Sequence, residues 1–136
     1  MLGGVADTHS LVWFATSQHR KIGDAARRIF VAADRNDGTG QVIVPTVVLH
    51  EISCLLIANK IKLRSDFSVW VADLKRHRYF PIIDVTADMV LASHSFQTIA
   101  DPFDRLIMGC SDLLDQPLLT GDRLITESNV IQVIWE

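Results

Sequence analysis

Short apolar runs alternate along this chain with segments in which apolar residues recur every three or four positions. The apolar runs predict strands at 5–6, 42–44, 80–85, 118–120 and 131–135. The periodic segments predict helices at 11–15, 24–33, 47–56, 67–78, 86–96 and 102–114. Such alternation favours an α/β domain whose mostly parallel sheet of four to five strands is covered on both faces. The length of 136 residues is that of a single domain, 1–136.

Small polar residues in front of the periodic segments predict where the helices begin, because their side chains accept hydrogen bonds from free N–H groups. The expected capping residues are Thr8 or Ser10, Asp24, Thr46, Ser65 or Asp66, and Thr86. Pro102 suits the first turn of the last helix, where its missing N–H costs nothing. The order of the strands does not follow from these patterns.

Four acidic residues lie where a parallel sheet gathers side chains at one edge. Asp7 follows the first strand, and Asp122 follows the fourth. Asp104 falls in the first turn of the helix before the fourth strand, and Glu51 lies about two turns into the helix after the second. Ligands bind in the crevice outside the carboxyl ends of such strands. The spacing therefore predicts that these four carboxylates form one site.

These acids also have structural interpretations. Asp101, three residues before Asp104, is as readily a helix cap as a functional group, and Asp122 can be a turn residue after a strand. Glu51 is harder to explain in this way, because neighbours at helical spacing such as Val48 and Leu55 are apolar. A carboxylate buried among apolar side chains needs a partner.

Clustered carboxylates repel one another, and removal from water strengthens the repulsion. Divalent cations relieve it, and hard oxygen ligands select Mg²⁺ or Mn²⁺. Two such ions about 4 Å apart activate water and stabilise the attacking and leaving oxygens of a phosphodiester. Metal-dependent phosphodiester hydrolysis is therefore the predicted chemistry. His9 and His50 adjoin two of the acids, but no histidine or cysteine pair accompanies them as zinc would require.

Composition and charge bear on where the protein is located and on what it binds. No apolar run approaches the roughly 20 residues of a membrane span, and the first residues lack the basic flank of a signal peptide, so a cytoplasmic protein is expected. Cys54 and Cys110 fall in apolar helical patterns and are interpreted as buried and reduced. The net charge of −3 does not favour nucleic acid, yet four acids gathered around cations would leave a slightly basic remainder.

Four short motifs, in this order, resemble those of PIN-domain proteins, and most closely the VapC-type toxins of bacterial toxin–antitoxin pairs. The motifs are Asp7-Thr8-His9, Glu51 within 48–52, Asp101-Pro102-Phe103-Asp104 continuing to Ile107, and Leu119-Thr120-Gly121-Asp122. No single motif is specific, but four in the same order are. The resemblance spans the chain and extends to the ending Val133-Ile134-Trp135.

The resemblance implies a three-layer α/β/α fold and an endoribonuclease that cleaves RNA with Mg²⁺ or Mn²⁺. It also implies homodimerisation and inhibition by a cognate antitoxin. The residues that match the family's four acidic positions, with catalytic and metal-binding roles, are Asp7, Glu51, Asp104 and Asp122. A PIN-like module that binds RNA or protein without cleaving it is the alternative function.

Four further residues are secondary candidates. The hydroxyls of Thr8 and Thr120 are placed to orient a carboxylate or a metal-bound water. Asp101 is a cap or a minor contributor, and Arg105 is a phosphate clamp or a partner for one of the acids. A phosphatase of the haloacid-dehalogenase type is disfavoured because it requires a second Asp at position 9, which is His.

The basic and aromatic residues each have two possible roles. The basic runs 60–64 and 75–78 are either phosphate contacts or solvated helix ends. Trp13 and Phe14 are interpreted as residues of the core or of an antitoxin groove, rather than as stacking platforms for bases.

Overall fold

A computed structural model describes all 136 residues and shows a five-stranded parallel sheet with seven α-helices. The strands are β1 (Leu2–Ala6), β2 (Gly40–Pro45), β3 (Ile82–Ile83), β4 (Leu118–Leu119) and β5 (Val133–Ile134). The helices are α1 (Thr8–Ala15), α2 (Asp24–Asp34), α3 (Thr46–Ile57), α4 (Phe67–Arg76), α5 (Ala87–Ser93), α6 (Pro102–Leu114) and α7 (Arg123–Ser128). A short 3₁₀ turn, His19–Lys21, separates α1 from α2.

The strand order is β3-β2-β1-β4-β5, and every neighbouring pair is parallel. The chain fills one side of β1 with β2 and β3, and then crosses to add β4 and β5 on the other side. The strand order therefore reverses between β1 and β4, where Ala6 pairs with Leu119. In a parallel sheet this reversal opens a crevice at the carboxyl ends of the two strands.

Helices cover both faces of the sheet. Val5 and Ala6 point to opposite faces because side chains alternate along a strand, and both are completely buried. Three successive residues of β2, Val42–Val44, are buried in the same way. The predicted three-layer α/β/α arrangement is confirmed, and one cluster of 23 buried apolar residues forms its core.

Most predicted elements are present, but three strands are shorter than expected. β3 is an edge strand that pairs only with β2, and Pro81 just before it has no N–H to donate. Helix α7 and the 3₁₀ turn were not predicted. Helix α7 has six residues and buries only Ile125, so it leaves no helical period in the sequence.

Several predicted caps are wrong. Asp7, directly before α1, caps the helix by accepting from Ser10 N, and the hydroxyl of Thr8, the first helical residue, donates to Glu51. Asp24 is the first residue of α2 and does not cap it, because the backbone carbonyl of Trp135 accepts from Ala25 N and Ala26 N.

Of the remaining cap predictions, only one is confirmed. Thr46 does not cap α3, since its hydroxyl accepts from Val85 N beyond β3. Asp66 precedes α4 without a capping side-chain hydrogen bond. The cap at Thr86 is confirmed.

The two cysteines have different environments. Cys110 is buried as predicted, but the same prediction for Cys54 is wrong. Cys54 is exposed beside His50, one turn earlier on α3, with Sγ 4.0 Å from Nε2. None of the helices is both long enough and apolar enough to cross a membrane.

Candidate active site

A cavity of about 490 Å³ opens at the reversal between β1 and β4, and it is called the acidic cavity below. All four predicted acids line it together with the cap candidate, and these five carboxylates are Asp7, Glu51, Asp101, Asp104 and Asp122. Thr8, His9 and Lys21 also contribute to its wall. Residues separated by more than a hundred positions in the chain therefore share one cavity.

Asp7 sits at the end of β1 with both carboxylate oxygens held. Oδ1 accepts from the backbone N–H of Ser10 at 2.9 Å, and Oδ2 accepts from the Thr120 hydroxyl at 2.5 Å. Burial raises the pKa of Asp7, although these hydrogen bonds act in the opposite direction. A raised pKa means that the site disfavours the carboxylate's charge when no cation accompanies it.

Thr120 joins the first and last acids. It is completely buried, and its hydroxyl oxygen accepts from the backbone N–H of Asp122 at 3.1 Å while donating to Asp7. Asp122 caps α7, with Oδ1 accepting from Ile125 N at 3.0 Å. The cap leaves Oδ2 of Asp122 without a partner in the protein.

Glu51 reaches the cavity from α3. It is half-buried, and the hydroxyl of the buried Thr8 donates a short hydrogen bond to its Oε1. This hydroxyl supplies the partner that a carboxylate among apolar neighbours needs. Oε2 makes no hydrogen bond within the protein.

Two acids come from the start of α6. Asp101 caps the helix, with Oδ1 accepting from Phe103 N at 2.8 Å and from Asp104 N at 3.3 Å. Asp104 has no hydrogen-bond donor for its own carboxylate. Burial raises the pKa of Asp104 to about 7, with further contributions from the charges of Asp101, Asp122, Glu51 and Asp7. The shift shows that these carboxylates repel one another across the cavity.

Three residues of the wall were not singled out as functional from the sequence: Lys21, Gly121 and Trp135. Trp135 follows β5 as Asp7 follows β1, so the rule that strand ends gather at one edge could have found it. Gly121 has a steric role, since a Cβ there would lie 2.6 Å from Trp135 Cε2. Lys21 left no signal, because only tertiary packing brings its 3₁₀ turn to the cavity.

The sequence matches the model of the PIN domain family over residues 5–127. The chain belongs to the PIN domain family. No curated protein shows a significant match to this PIN domain.

Two solved structures have the same fold as this PIN domain. One is from the VapBC2 complex of Rickettsia felis, bound to a DNA fragment from its promoter, with a TM-score of 0.68, 16% identity and full coverage of both chains. The other is from DNA-bound VapBC of Salmonella typhimurium, with a TM-score of 0.64, 13% identity and 98% coverage of both chains. The α/β prediction for the fold is confirmed.

Two residues near the acids lie outside the cavity of this PIN domain. The guanidinium of Arg105 donates from Nη1 to the carbonyls of Ile99 and Ala100, at 2.7 and 2.9 Å, and pairs with no acid. Arg105 therefore braces the loop before α6. His50 packs against Phe103, with ring centroids 5.8 Å apart, and does not line the cavity.

The donor set of this PIN domain suits a hard divalent cation. Five carboxylates face one cavity, and the charges of four of them help to raise the pKa of the fifth. As the side chains stand, no three histidine, cysteine, aspartate or glutamate side chains are close enough to enclose an ion. Coordination therefore requires the carboxylates to draw together, a movement that their mutual repulsion opposes until a cation neutralises it.

Proposed function

We propose that this PIN domain is an endoribonuclease that hydrolyses RNA phosphodiester bonds with Mg²⁺ or Mn²⁺. The observation that carries the proposal is the convergence of five carboxylates on one cavity, where burial and the charges of the other four raise the pKa of Asp104. A fold gains nothing in stability from such repulsion, so groups of this kind are characteristic of functional sites. Family membership supports the same chemistry.

Each acid has a proposed role. Asp7, Asp104 and Asp122 hold the cation, and Glu51 is a further ligand or the general base. The cation, when bound, acidifies a water molecule and stabilises charge on the attacked phosphate. Thr8 and Thr120 orient Glu51 and Asp7 through the hydrogen bonds described above. Oε2 of Glu51 is free to accept a proton from the attacking water.

The decisive experiment measures RNA cleavage by purified protein with Mg²⁺, Mn²⁺ or a chelator. Asp104→Asn is compared with Asp112→Asn, an exposed carboxylate on the same helix outside the cavity. We expect cleavage that requires the cation, falls at least about a thousandfold in Asp104→Asn and is unchanged in Asp112→Asn. Full activity in a folded Asp104→Asn protein would overturn the proposed site.

The same experiment separates the nuclease from a non-catalytic binding module. A module would bind RNA or a protein partner and cleave none of a varied set of RNAs, with or without the cation. Cleavage that persists in chelator would instead point to a contaminating ribonuclease. Such a contaminant would copurify equally with the Asp104→Asn protein.

We also propose that the biological role is that of the toxin in a toxin–antitoxin pair, with a cognate antitoxin as partner and a homodimer as the working form. The two similar folds come from VapBC complexes, which supports a protein partner. An apolar groove of about 180 Å³ offers such a partner a surface, lined by Leu11, Phe14, Trp70, Leu74 and Phe80.

Copurification and light scattering test this role. We expect a small protein encoded beside this chain to bind it and to suppress its cleavage of RNA. Purified protein without the partner is expected at the mass of two chains. A monomer that no neighbouring gene product inhibits would contradict both parts.

A further inference from the structure

A second cavity, of about 550 Å³, lies directly beside the acidic cavity and is called the basic cavity below. The two share three wall residues, His9, Trp13 and Lys21, so one continues into the other. Lys60 and Lys62 face the basic cavity together with Lys21, and no acid lines it. Two adjoining cavities therefore carry opposite charge.

The backbone fixes the loop that carries two of these lysines. Just after α3, Asn59 adopts the left-handed conformation (φ 58°). Lys60 N donates to Leu55 O at 2.9 Å, so the helix ends in a Schellman motif. Further along, the Arg64 guanidinium donates to the Ser17 hydroxyl at 3.1 Å, which ties the loop to the end of α1. The loop is thus anchored on both sides of Lys62.

None of the three ammonium groups forms a salt bridge or a hydrogen bond within the protein. Arg27, Arg76 and Arg123 each lie within 4.0 Å of a carboxylate, whereas Lys21, Lys60 and Lys62 do not. Three unpaired cations around one cavity attract an anion with several charges along its length. A polynucleotide backbone is such an anion, and each phosphate that a lysine neutralises releases a counterion.

Trp13 stands at the boundary between the cavities. Its ring is partly exposed, with Lys21 Nζ 5.9 Å from its centroid, and the rings of His9 and Trp135 lie 5.9 and 6.3 Å away. An aromatic face beside lysines is the arrangement on which unpaired bases stack while the backbone follows the positive charge. Paired bases in a duplex do not present their faces to a protein side chain.

We propose that the basic cavity binds backbone phosphates of single-stranded RNA on one side of the bond held in the acidic cavity, with Trp13 stacking a base between them. The inference rests on the proposed function, since it assigns the path of that substrate. The run 60–64, which the sequence allows as either phosphate contacts or a solvated helix end, then supplies phosphate contacts. Trp13 then serves as a stacking platform, which the sequence interpretation had disfavoured.

A binding experiment without turnover tests this path. Fluorescein-labelled single-stranded RNA of mixed sequence is titrated in chelator over a range of salt, with Lys60→Gln/Lys62→Gln against a control, Arg28→Gln/Lys75→Gln. All four positions are exposed, and the control pair lies outside both cavities. We expect roughly a tenfold or greater loss of affinity, and a salt slope smaller by about 1.4, only in the first variant.

Three results would overturn the inference. They are equal losses in both variants, no loss in either, and tighter binding of duplex RNA than of the single strand by the wild-type protein. Binding of a labelled acidic peptide such as polyglutamate, by a protein that does not bind RNA, would assign the cavity to an acidic protein segment instead. Thermal unfolding of both variants at the wild-type temperature verifies that the lysine changes leave the fold intact.

A chromogenic phosphodiester separates failure of this inference from failure of the proposed function. Bis(p-nitrophenyl) phosphate has a single phosphate, so it offers a phosphodiester to the acidic cavity and no second phosphate to the basic one. We expect the KM of Lys60→Gln/Lys62→Gln for single-stranded RNA to rise about tenfold, and its KM for this small diester to change much less. If the wild type cleaves neither substrate, the proposed function fails, while RNA binding in chelator still tests the basic cavity.

Discussion

The acidic and basic cavities share a wall but are built by opposite means. In the acidic cavity, strand ends and helix starts supply the charged groups, and Asp7, Glu51, Asp101 and Asp122 each accept a hydrogen bond from the protein. In the basic cavity, a 3₁₀ turn and a loop supply lysines that no protein group holds. The fold therefore holds most of the carboxylates of the acidic cavity, whereas the lysine side chains of the basic cavity are free to move.

The difference suggests a division of labour. Chemistry requires closely positioned groups, and hydrogen bonds at strand ends and helix starts restrict four of the five carboxylates before any cation draws them together. Binding a polymer of varied sequence tolerates movement, and lysine is a flexible point charge. On the proposed path, the lysines of the basic cavity would attract the RNA backbone, while the carboxylates of the acidic cavity would repel it until a cation neutralised them.

Asp7→Asn should have the largest effect, and only on the acidic cavity. The amide still caps α1 and can accept from Ser10 N, so the protein should fold. We expect cleavage to fall at least about a thousandfold, since several kcal/mol of stabilisation of the transition state depend on the cation. Binding of labelled RNA in chelator should be retained. Loss of RNA binding together with cleavage would show that the two cavities do not act separately.

Thr120→Val should have the next largest effect. It removes the hydroxyl that holds Asp7 and leaves the backbone N–H of Asp122 without its acceptor, while keeping the volume of the side chain. We expect kcat to fall about 10- to 100-fold, as for other groups that orient metal ligands. Thr120→Ser, which keeps the hydroxyl, should restore most of the rate. A valine variant with wild-type kcat and cation affinity would show that Asp7 needs no orienting group.

Asp104 should make the cation-free protein sensitive to pH. Its pKa is raised from 3.8 to about 7, so the folded state binds a proton that the unfolded state releases. Stability should therefore fall as pH rises from about 4 to about 7. In chelator at pH 8, Asp104→Asn should melt a few degrees above the wild type, and Mn²⁺ should narrow the gap by stabilising the wild type. Equal melting temperatures at pH 5 and pH 8 for both proteins would contradict this account.

Lys21→Gln should have the smallest effect of these substitutions, and it tests whether Lys21 acts in binding or in the chemistry of the acidic cavity. Lys21 lines both, so its loss should weaken single-stranded RNA binding about fivefold through one phosphate contact. Hydrolysis of bis(p-nitrophenyl) phosphate should be nearly unchanged. Lys75→Gln is the matched control. A large loss on the small substrate would place Lys21 in the chemistry of the acidic cavity.

The sequence predicted local features well and long-range placement poorly. Apolar runs and periods located five strands and six helices, because burial on both faces of a sheet leaves a direct mark on composition. The edge rule for parallel sheets put four acids near one another without knowledge of strand order. Strand order itself depends on crossover connections, which leave no such mark.

The caps and the unexpected residues of the cavity wall show where such prediction ends. Asp7 caps α1 because it stands directly before the helix, whereas Thr8 is its first residue and donates to Glu51, which is 43 residues away. The start of α2 needs no side-chain cap because Trp135 provides a carbonyl from the other end of the chain. Cys54 is exposed although its sequence neighbours are apolar, because no other element covers that side of α3. These misses depend on where a helix begins and on what packs against it, which the local pattern does not determine.

The hydrogen bond from Thr120 to Asp7 joins residues 113 positions apart, and this separation has a consequence for synthesis. A ribosome makes Asp7 and Glu51 long before β4 and Asp122. A chain that lacks β4 has a central strand open on one side and four of the five carboxylates, since only Asp122 follows β4. If the proposed function holds, partly made chains should be inert, and cleavage of RNA should begin only after β4 and Asp122 have left the ribosome. Contacts this distant in sequence form slowly, so a partner of the proposed kind would have time to meet the chain before it became active.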